Sequence, residues 1–255
     1  MIIGSKLYRI ASTADSMGWA RSMLNEAPDG AIFLADAYTH VRGRQGRTWE
    51  FMPGQLLVTL VLKPPLLKVI HQDDMAIRLN QLNMAICLGI LDPLKKYGAG
   101  LKWPNDVVIG GKKIAGMLMQ LVWQHDAPQG VIVGFAINVN NIFTPEHHLH
   151  ARATSLAATT GSQHDLRALY KELLLALDGW YSQWSQLAYG TIYKMWRQEQ
   201  ACLGTLITVH HKDGAALSGL AKQVMPNGDL LLLDEQQKQH TISFYQVEEV
   251  QTTLP

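Results

Sequence analysis

The segment from Asp73 to about Leu94 constrains the fold more than any other part of the sequence. Its apolar residues follow the period of a helix, and its remaining faces are nearly as apolar. The face with the clearest period consists of Met75, Leu79, Leu82, Ile86 and Ile90. The longest uninterrupted apolar run, Met84 to Leu91, is far shorter than the roughly 20 residues that a membrane span requires. The segment therefore predicts a central helix that other elements cover on several sides.

Runs with β-strand character lie on both sides of this helix in the chain. They are 7–10, 31–35, 55–62, 101–103, 107–109, 113–123 and 131–139. Gly110-Gly111 is a hairpin turn signal between two of them. Helical periods are also present at 13–25, 166–184 and 193–202, whereas 141–162 is predicted to be irregular. This arrangement predicts an α+β fold with a mixed β-sheet backed by helices.

The character of the sequence changes from Gly204 onward. Short β-prone runs are separated by Asp213-Gly214 and Asn227-Gly228, which are strong turn signals. Closely spaced short strands of this kind are typical of a small antiparallel β-barrel. We therefore predict two domains, at 1–202 and at 203–255.

Composition and charge exclude several functional classes. The formal net charge is +1, so no overall positive field attracts nucleic acid. The two cysteines, Cys87 and Cys202, lie in apolar settings and make no disulfide framework. The first ten residues lack the apolar core of a signal peptide. These features predict a cytoplasmic protein with reduced, buried cysteines and no membrane partner.

Residues 41–49 combine three arginines with two glycines and a tryptophan, and we call them the arginine loop. An arginine side chain presents a planar fork of N–H donors that matches phosphate and carboxylate oxygens. Glycine has no Cβ, so backbone N–H groups can approach an anion closely. Such a segment is typical of a loop that an anionic ligand orders, although a solvated basic loop has the same composition.

Three further motifs follow the arginine loop in the chain. They are Lys102-Trp103-Pro104-Asn105-Asp106, Lys113-Ile114-Ala115-Gly116, and the run from Gly134 to Ile137-Asn138-Val139-Asn140. In this order, the four motifs resemble those of the biotin protein ligases over about residues 5–160. The C-terminal part is similar more loosely, by architecture. The resemblance implies a catalytic domain at 1–202 and an SH3-like barrel at 203–255, which we expect to cover the nucleotide or to help meet a protein substrate.

The resemblance implies an ATP-dependent biotin–protein ligase. Such an enzyme joins the biotin carboxylate to the α-phosphate of ATP, which gives biotinyl-5′-AMP. It then passes the biotinyl group to a lysine of a biotin carboxyl carrier protein, a subunit of acetyl-CoA carboxylase or of another biotin-dependent enzyme. ATP and Mg²⁺ are the implied cofactors, with biotin as substrate. Both reacting groups of the first step are anions, so a positively charged, preorganised site has to hold them together.

The same resemblance implies roles for individual residues, with Lys102 and Arg44 as the catalytic ones. The implied biotin-binding residues are Ser12, Thr13, Ala14, Tyr38, Arg42, Gly43, Arg44, Lys102 and Gly116. The implied nucleotide-binding residues are Arg42, Arg47, Trp49, Asn105, Lys113 and Asn138. Asp106 is the implied metal ligand, although it could instead cap a turn. Asn138 could satisfy loop backbone groups, and Trp49 could simply pack beside the loop.

The chain departs from the family pattern at several positions around the charged groups. The asparagine that usually follows Ser-Thr is Ala14, the glycine that opens the arginine loop is Val41, and a frequent glutamine is Tyr38. Gln120 stands where glutamate is frequent, and Ala136 stands where glycine is usual. These differences bear on the shape of the biotin pocket and on loop closure more than on the type of reaction.

Two alternatives to a biotin ligase stay open. A lipoate or octanoate ligase or transferase shares the architecture, although the Arg-Arg and consecutive-glycine signature of lipoate ligases is missing. A non-catalytic biotin-binding regulator would suit the departures at Ala14, Val41 and Ala136. The sequence starts shortly before Ser12, so we expect no DNA-binding domain and no DNA partner. A homodimer through a sheet edge is implied by the resemblance alone.

His147, His148 and His150 form a short cluster in the segment predicted to be irregular. Without cysteine or carboxylate at metal-ligand spacing, such a cluster is typical of a solvated loop. A metal site at these histidines is the less favoured interpretation.

Overall fold

The computed structural model describes residues 1–43 and 46–252. The strands before the central helix are β1 (Leu7–Thr13), β2 (Ala31–Tyr38), β3 (Val41–Arg42), β4 (Thr48–Trp49) and β5 (Gln55–Leu62). The next four are β6 (Gly100–Lys102), β7 (Asp106–Ile109), β8 (Lys112–Gln124) and β9 (Ala127–Asn138). Seven of them form one sheet in the order β1-β2-β5-β9-β8-β7-β6, while β3 and β4 pair separately. In this sheet β1 runs parallel to β2 and the other neighbours are antiparallel, so the predicted mixed sheet is confirmed.

Alternate residues of the central strands pack on opposite sides of this sheet. In β9, Val131 and Val133 belong to the main core, whereas Ile132 between them belongs to a second apolar cluster. Successive side chains of a strand point to opposite faces, so this alternation shows that both faces are covered.

The helices are α1 (Ser16–Ser22), α2 (Gln72–Leu91), α3 (Leu156–Thr160), α4 (Leu166–Ser185) and α5 (Tyr189–Gln198). The long helix α2 contacts α4, α5, β6 and β7, so the predicted central helix is confirmed. The short helix α1 covers the second cluster and contacts β2, β5 and β9. It ends at Ser22 and not at the predicted Asn25, because the following residues form turns.

The helix α5 lies earlier in the chain than the predicted 193–202. It ends at Gln198 because the next residues pair with β6 instead of continuing the helix. Leu101 N donates to Glu199 O at 2.8 Å, and Ala201 N donates to Leu101 O at 2.7 Å. The end of α5 is therefore tied to the strand that carries Lys102.

Five antiparallel strands make up the C-terminal sheet. They are β10 (Leu206–His211), β11 (Ala216–Val224), β12 (Leu230–Leu233), β13 (Gln239–Ile242) and β14 (Val247–Thr252). The predicted turns at Gly214 and Gly228 both have positive φ. The strand order is β13-β12-β11-β10-β14, so through Thr252 the sheet stays open between β13 and β14. The small antiparallel fold is confirmed and is consistent with an SH3-like domain, but the predicted closure into a barrel is not observed in the described residues.

The two predicted domains share one apolar core. Residues of β10 to β14 belong to the same buried cluster as Trp103 and the residues of α2. The helix α2 is also less uniformly apolar than predicted, because it buries Asn80, Gln81 and Asn83, and Asn80 contacts the C-terminal part of the chain. Asn80 Nδ2 donates to Asn227 O at 2.5 Å, and Asn80 Oδ1 accepts from the Tyr245 hydroxyl. The division at 202/203 stays a prediction.

None of the helices formed by the described residues is long and apolar enough to cross a membrane.

Candidate active site

A cavity of about 630 Å³ opens where the arginine loop, the β6–β7 hairpin and the C-terminal strand β14 approach one another. Its wall includes ten of the predicted site residues, which are Arg42, Gly43, Arg47, Trp49, Lys102, Asn105, Asp106, Lys113, Gly116 and Asn138. The volume is within the range of small-molecule sites, roughly 300–1,000 Å³. The structure thus gathers residues of all four motifs around one space.

Lys102 ends β6 at the turn into β7, directly across the hairpin from Asp106. Residues 103–105 form the turn, and the Trp103-Pro104 peptide bond is cis. The indole of Trp103 is only 1% exposed, and its Nε1 donates to Gly228 O at 2.8 Å. The turn is therefore fixed to the C-terminal sheet, which holds the half-buried Lys102 at the cavity wall.

Burial lowers the pKa of the Lys102 amine, because removal from water disfavours its charged form. The charge of Lys113 acts in the same direction, whereas the carboxylate of Asp106 opposes the shift. An anionic ligand in the cavity would favour the charged amine in the same way as Asp106 does. Lys102 is thus suited to respond to a bound anion.

Lys113 and Asp106 form an ion pair beside Lys102. The Lys113 Nζ lies 2.6 Å from Asp106 Oδ1 and 5.6 Å from the centre of the Trp49 ring. Gly116 makes this pair possible, because a Cβ there would lie 2.7 Å from Lys113 Cε and 3.1 Å from Asp106 Oδ1. The absence of a side chain at Gly116 therefore gives space to a charged pair, and its predicted contact with biotin stays a prediction.

A buried amide cluster joins the end of β9 to the arginine loop. Gln55 Nε2 donates to Asn138 Oδ1 at 2.9 Å, and Gln55 Oε1 accepts from Met52 N and Trp49 Nε1 at 3.0 and 3.3 Å. Asn141 Nδ2 also donates to Asn138 Oδ1, at 3.3 Å. The Oδ1 atom of Asn138 thus accepts from two side chains in this structure. Sequence reasoning missed Gln55, whose one signal is a polar residue opening an apolar strand.

The described part of the arginine loop is held at its two ends. Arg42 of β3 pairs with Thr48 of β4, and Gly43 N donates to Arg47 O at 2.6 Å. A Cβ at Gly43 would lie 2.9 Å from the same oxygen, so this close approach requires glycine. Arg42 Nη2 also lies 2.7 Å from Asp15 Oδ2. Arg44, the second predicted catalytic residue, lies outside the described residues.

The strand β14 supplies one side of the cavity, as expected for a C-terminal sheet that covers the site. All of its residues line the space. Arg47 Nη2 donates to Glu248 O at 2.7 Å, and Arg152 forms an ion pair with Glu249. The first contact connects β14 to the arginine loop, and the second connects it to Arg152, whose backbone carbonyl accepts from Lys113 N at 2.8 Å. The site therefore includes residues of both predicted domains.

Of the predicted biotin-binding residues that the structure describes, four are not among those that line the cavity. Ser12 and Ala14 are exposed, and Thr13 lies between them at the end of β1. Thr13 Oγ1 accepts from Asp15 N at 3.1 Å, so it organises the turn into α1. Their contact with biotin stays a prediction.

Tyr38, the fourth of these residues, points into the protein. It packs with Leu57, Ala136 and Phe51, and burial raises the pKa of its hydroxyl. The hydroxyl donates to Leu57 O at 3.2 Å and accepts from Ala35 N at 3.0 Å. The hydroxyl thus forms hydrogen bonds with neighbouring backbone groups in this structure. A role of Tyr38 in binding biotin also stays a prediction.

Two places in the described residues could hold a metal ion. One is Asp106 in the cavity, beside Asn105, whose Nδ2 donates to Met117 O at 2.5 Å. Asn105 therefore fixes the backbone next to the carboxylate. A single carboxylate beside bound phosphates is typical of Mg²⁺ sites. Asp106 Oδ1 is paired with Lys113 of the neighbouring strand β8, and the choice between a metal ligand and a turn cap stays open.

The second place is the histidine cluster, which does have a carboxylate nearby. Ligand atoms of Glu50, His147 and His148 lie within 4.8 Å of one another, and sequence separation had hidden this proximity. Leu149 N donates to His147 Nδ1 at 3.1 Å, so the proton of the neutral ring is on Nε2, which faces Glu50. A metal ion that binds Nε2 would have to displace this proton and break the hydrogen bond to Glu50. His150 lies apart and bonds Phe143 O.

Comparison with known proteins identifies the family. A profile of the biotin/lipoate A/B protein ligase family matches residues 7–138, which is more than half of the chain. The chain belongs to this family. A bifunctional ligase/repressor BirA of Bacillus subtilis (strain 168) is 30% identical over 217 residues, which cover 82% of this chain and 63% of that protein. The chain thus spans less than two thirds of the length of this relative.

Other similar proteins match over more of their own length. A biotin–[acetyl-CoA-carboxylase] ligase of Mycobacterium tuberculosis is 28% identical over 220 residues, which cover 84% of this chain and 77% of that protein. The structure of a biotin protein ligase from Aquifex aeolicus in complex with biotin and ATP superposes with a TM-score of 0.80 at 23% identity, and the match covers 98% of this chain and 100% of that one. At this identity the structural likeness shows the shared fold.

Proposed function

We propose that this protein activates biotin with ATP to biotinyl-5′-AMP and transfers the biotinyl group to a lysine of a biotin carboxyl carrier protein. The observation that carries this proposal is the convergence of Lys102, Lys113, Arg42 and Arg47 with Asp106 on one cavity. Such a set of cations suits a reaction between two anions. The names of the relatives from M. tuberculosis and A. aeolicus support biotin and ATP as the ligands.

In the first step, an oxygen of the biotin carboxylate attacks the α-phosphorus of ATP. A new acyl–phosphate bond forms while the bond from the α-phosphorus to the leaving pyrophosphate breaks. Lys102 would hold the carboxylate and the α-phosphate together and neutralise the charge that develops between them. Arg42 and Arg47 would bind the remaining anionic oxygens, and Arg44, which lies outside the described residues, would cover the adenylate.

Mg²⁺ fits the residues present, because Asp106 offers a carboxylate in the cavity where the phosphates would lie. When bound, the ion would neutralise phosphate charge. Asp106 would then hold the ion, and its ion pair with Lys113 would weaken. Lys113, stacked over Trp49, would turn toward a phosphate oxygen at the nucleotide.

In the second step, the neutral amine of the carrier lysine attacks the acyl carbon and AMP leaves. The carrier has to approach the open side of the cavity, so its surface would contact β14 or the arginine loop. A homodimer through a sheet edge stays a prediction, for which β1 is an edge strand of the large sheet, whereas β6 at the other edge already bonds Glu199 and Ala201.

The proposed reaction is tested by isotope exchange between pyrophosphate and ATP in the presence of the purified protein and Mg²⁺. We expect exchange that depends on biotin and that lipoate and octanoate do not support. Exchange with lipoate or octanoate but not with biotin would assign the protein to the sister activity. Tight biotin binding without any exchange would identify a non-catalytic regulator.

The lowered pKa of Lys102 predicts how adenylate formation depends on pH. Lys102 is charged below its pKa, so kcat/KM for biotin-dependent pyrophosphate release should fall as the pH rises through a value below that of an exposed lysine. The limiting rate at saturation should fall at a higher pH than kcat/KM, because bound anions favour the charged amine.

The control for this profile is Lys102→Arg, whose side chain stays charged throughout the measured range. Its residual activity should lack the alkaline decrease. An unchanged decrease in that variant would assign the titration to another group.

A further inference from the structure

The carboxylate of Asp15 has two contacts that serve different elements. Its Oδ1 accepts from Gly18 N at 2.9 Å and caps the first turn of α1, while its Oδ2 lies 2.7 Å from Arg42 Nη2. Capping requires one acceptor oxygen, so the second contact has to be explained separately. It reaches the start of the arginine loop, at a residue that lines the cavity.

Two neighbouring residues support this placement of Asp15. A Cβ at Gly18 would lie 2.7 Å from Asp15 Oδ2, the oxygen that meets Arg42. The backbone N–H of Asp15 donates to Thr13 Oγ1 at 3.1 Å, which fixes the turn out of β1. The carboxylate therefore has a defined position from which it can orient a guanidinium.

A fixed partner matters for Arg42, because more than half of its side chain is exposed to water. The side chain is 57% exposed, and an arginine has several rotatable bonds and loses considerable entropy when a ligand fixes it. A guanidinium has five N–H donors, and the contact with Asp15 uses one nitrogen, which leaves other donors for an anion in the cavity.

We propose that Asp15 is a positioning residue of the arginine loop, which presents the Arg42 guanidinium to the anionic ligand in the cavity. This inference rests on the proposed function, because it assigns Asp15 to the same reaction. A residue that prepares a binding group lowers the cost of binding, so its loss should raise a KM more than it lowers kcat.

The test compares Asp15→Asn with Asp165→Asn. Asp165 caps α4 through contacts with Arg167 N and Ala168 N, so this control loses the same charge at a cap and leaves the cavity intact. We expect Asp15→Asn to raise the KM for biotin or ATP about two- to fivefold, as the loss of a partly exposed ion pair allows, with kcat nearly unchanged. Asp165→Asn should change neither parameter, and both variants should melt at similar temperatures.

Two further variants separate positioning from capping. Asp15→Ser keeps a good cap but is too short to reach Arg42, so its KM should rise as in Asp15→Asn. Asp15→Glu keeps the charge, so its KM should rise less than that of Asp15→Asn. In an Arg42→Ala background, Asp15→Asn should have no additional effect on KM. An additional effect of equal size in that background, or an unchanged KM in Asp15→Asn, would overturn the proposal.

Hydrogen exchange provides a readout that does not depend on the reaction. Gly43 N, which donates to Arg47 O, should exchange faster in Asp15→Asn than in the parent protein, and Asp165→Asn should have no such effect. If the parent protein lacked biotin-dependent exchange of pyrophosphate, the proposed function would fail, yet this measurement would still support or overturn the contact between Asp15 and Arg42.

Discussion

Replacing Lys102 with glutamine should slow biotinyl-5′-AMP formation by about 10- to 100-fold. Glutamine keeps an N–H donor but is uncharged, so it removes an interaction that strengthens as negative charge develops at the α-phosphate. The loss of one charged hydrogen bond costs roughly 1.5–3 kcal/mol, which gives this range of rates. Quenched-flow measurement of pyrophosphate release in a single turnover measures this step directly.

The matched control for Lys102→Gln is Lys112→Gln. Lys112 lies in the next hairpin and donates to His150 O at 3.0 Å, but it does not belong to the cavity wall. Its replacement removes the same charge outside the cavity wall. It should change the rate of pyrophosphate release in a single turnover less than twofold, since exposed charges contribute little. Equal effects in both variants would show that the rate depends on the overall electrostatic field of the site and not on a contact that Lys102 makes with the reacting groups.

Replacing Trp103 with alanine should destabilise the protein by about 3–5 kcal/mol, as for other large buried aromatic residues. For a chain of this length, this corresponds to a decrease of roughly 10 °C in melting temperature. The fully buried indole packs in the core that both predicted domains share, so its loss weakens the contact between them. Differential scanning calorimetry with the exposed Trp123→Ala as control would measure the difference.

A second pair of variants isolates the hydrogen bond of Trp103. Trp103→Phe and Trp196→Phe each remove an indole ring from a site that is 1% exposed. Trp103 Nε1 donates to Gly228 O, whereas Trp196 Nε1 has no partner among the described residues. Trp103→Phe should therefore be the less stable by about 1–3 kcal/mol, because the carbonyl of Gly228 loses its donor. Equal stability would show that this bond contributes nothing to holding the turn.

Much of the fold follows from patterns within short stretches of sequence. The apolar run 55–62, the turn at Gly110-Gly111 and the stripe of α4 each reflect the period of one element. Errors occurred where a distant segment competes for the backbone. The helix α5 ends early because Glu199 and Ala201 bond to Leu101, a partner that no local pattern shows. Closure of the C-terminal strands likewise depends on pairing between β13 and β14, and turn signals do not determine it.

The site was predictable in its charged residues and less so in its supporting contacts. Family motifs pointed to Lys102, Asp106 and Lys113, and the structure places them together at the cavity. Neither Gln55 nor Asp15 was found, because each acts through partners that are remote in sequence. The proximity of Glu50 to His147 and His148 was missed for the same reason.

The contact between Arg47 and Glu248 joins residues that are 201 positions apart, and Trp103 meets Gly228 across 125 positions. During synthesis, a ribosome-bound chain would carry the arginine loop and Lys102 long before β14 has been made. Such an intermediate would lack one wall of the cavity, and an adenylate formed in it would be open to water. We therefore expect retention of the adenylate, and transfer of the biotinyl group from it, only after β14 has docked.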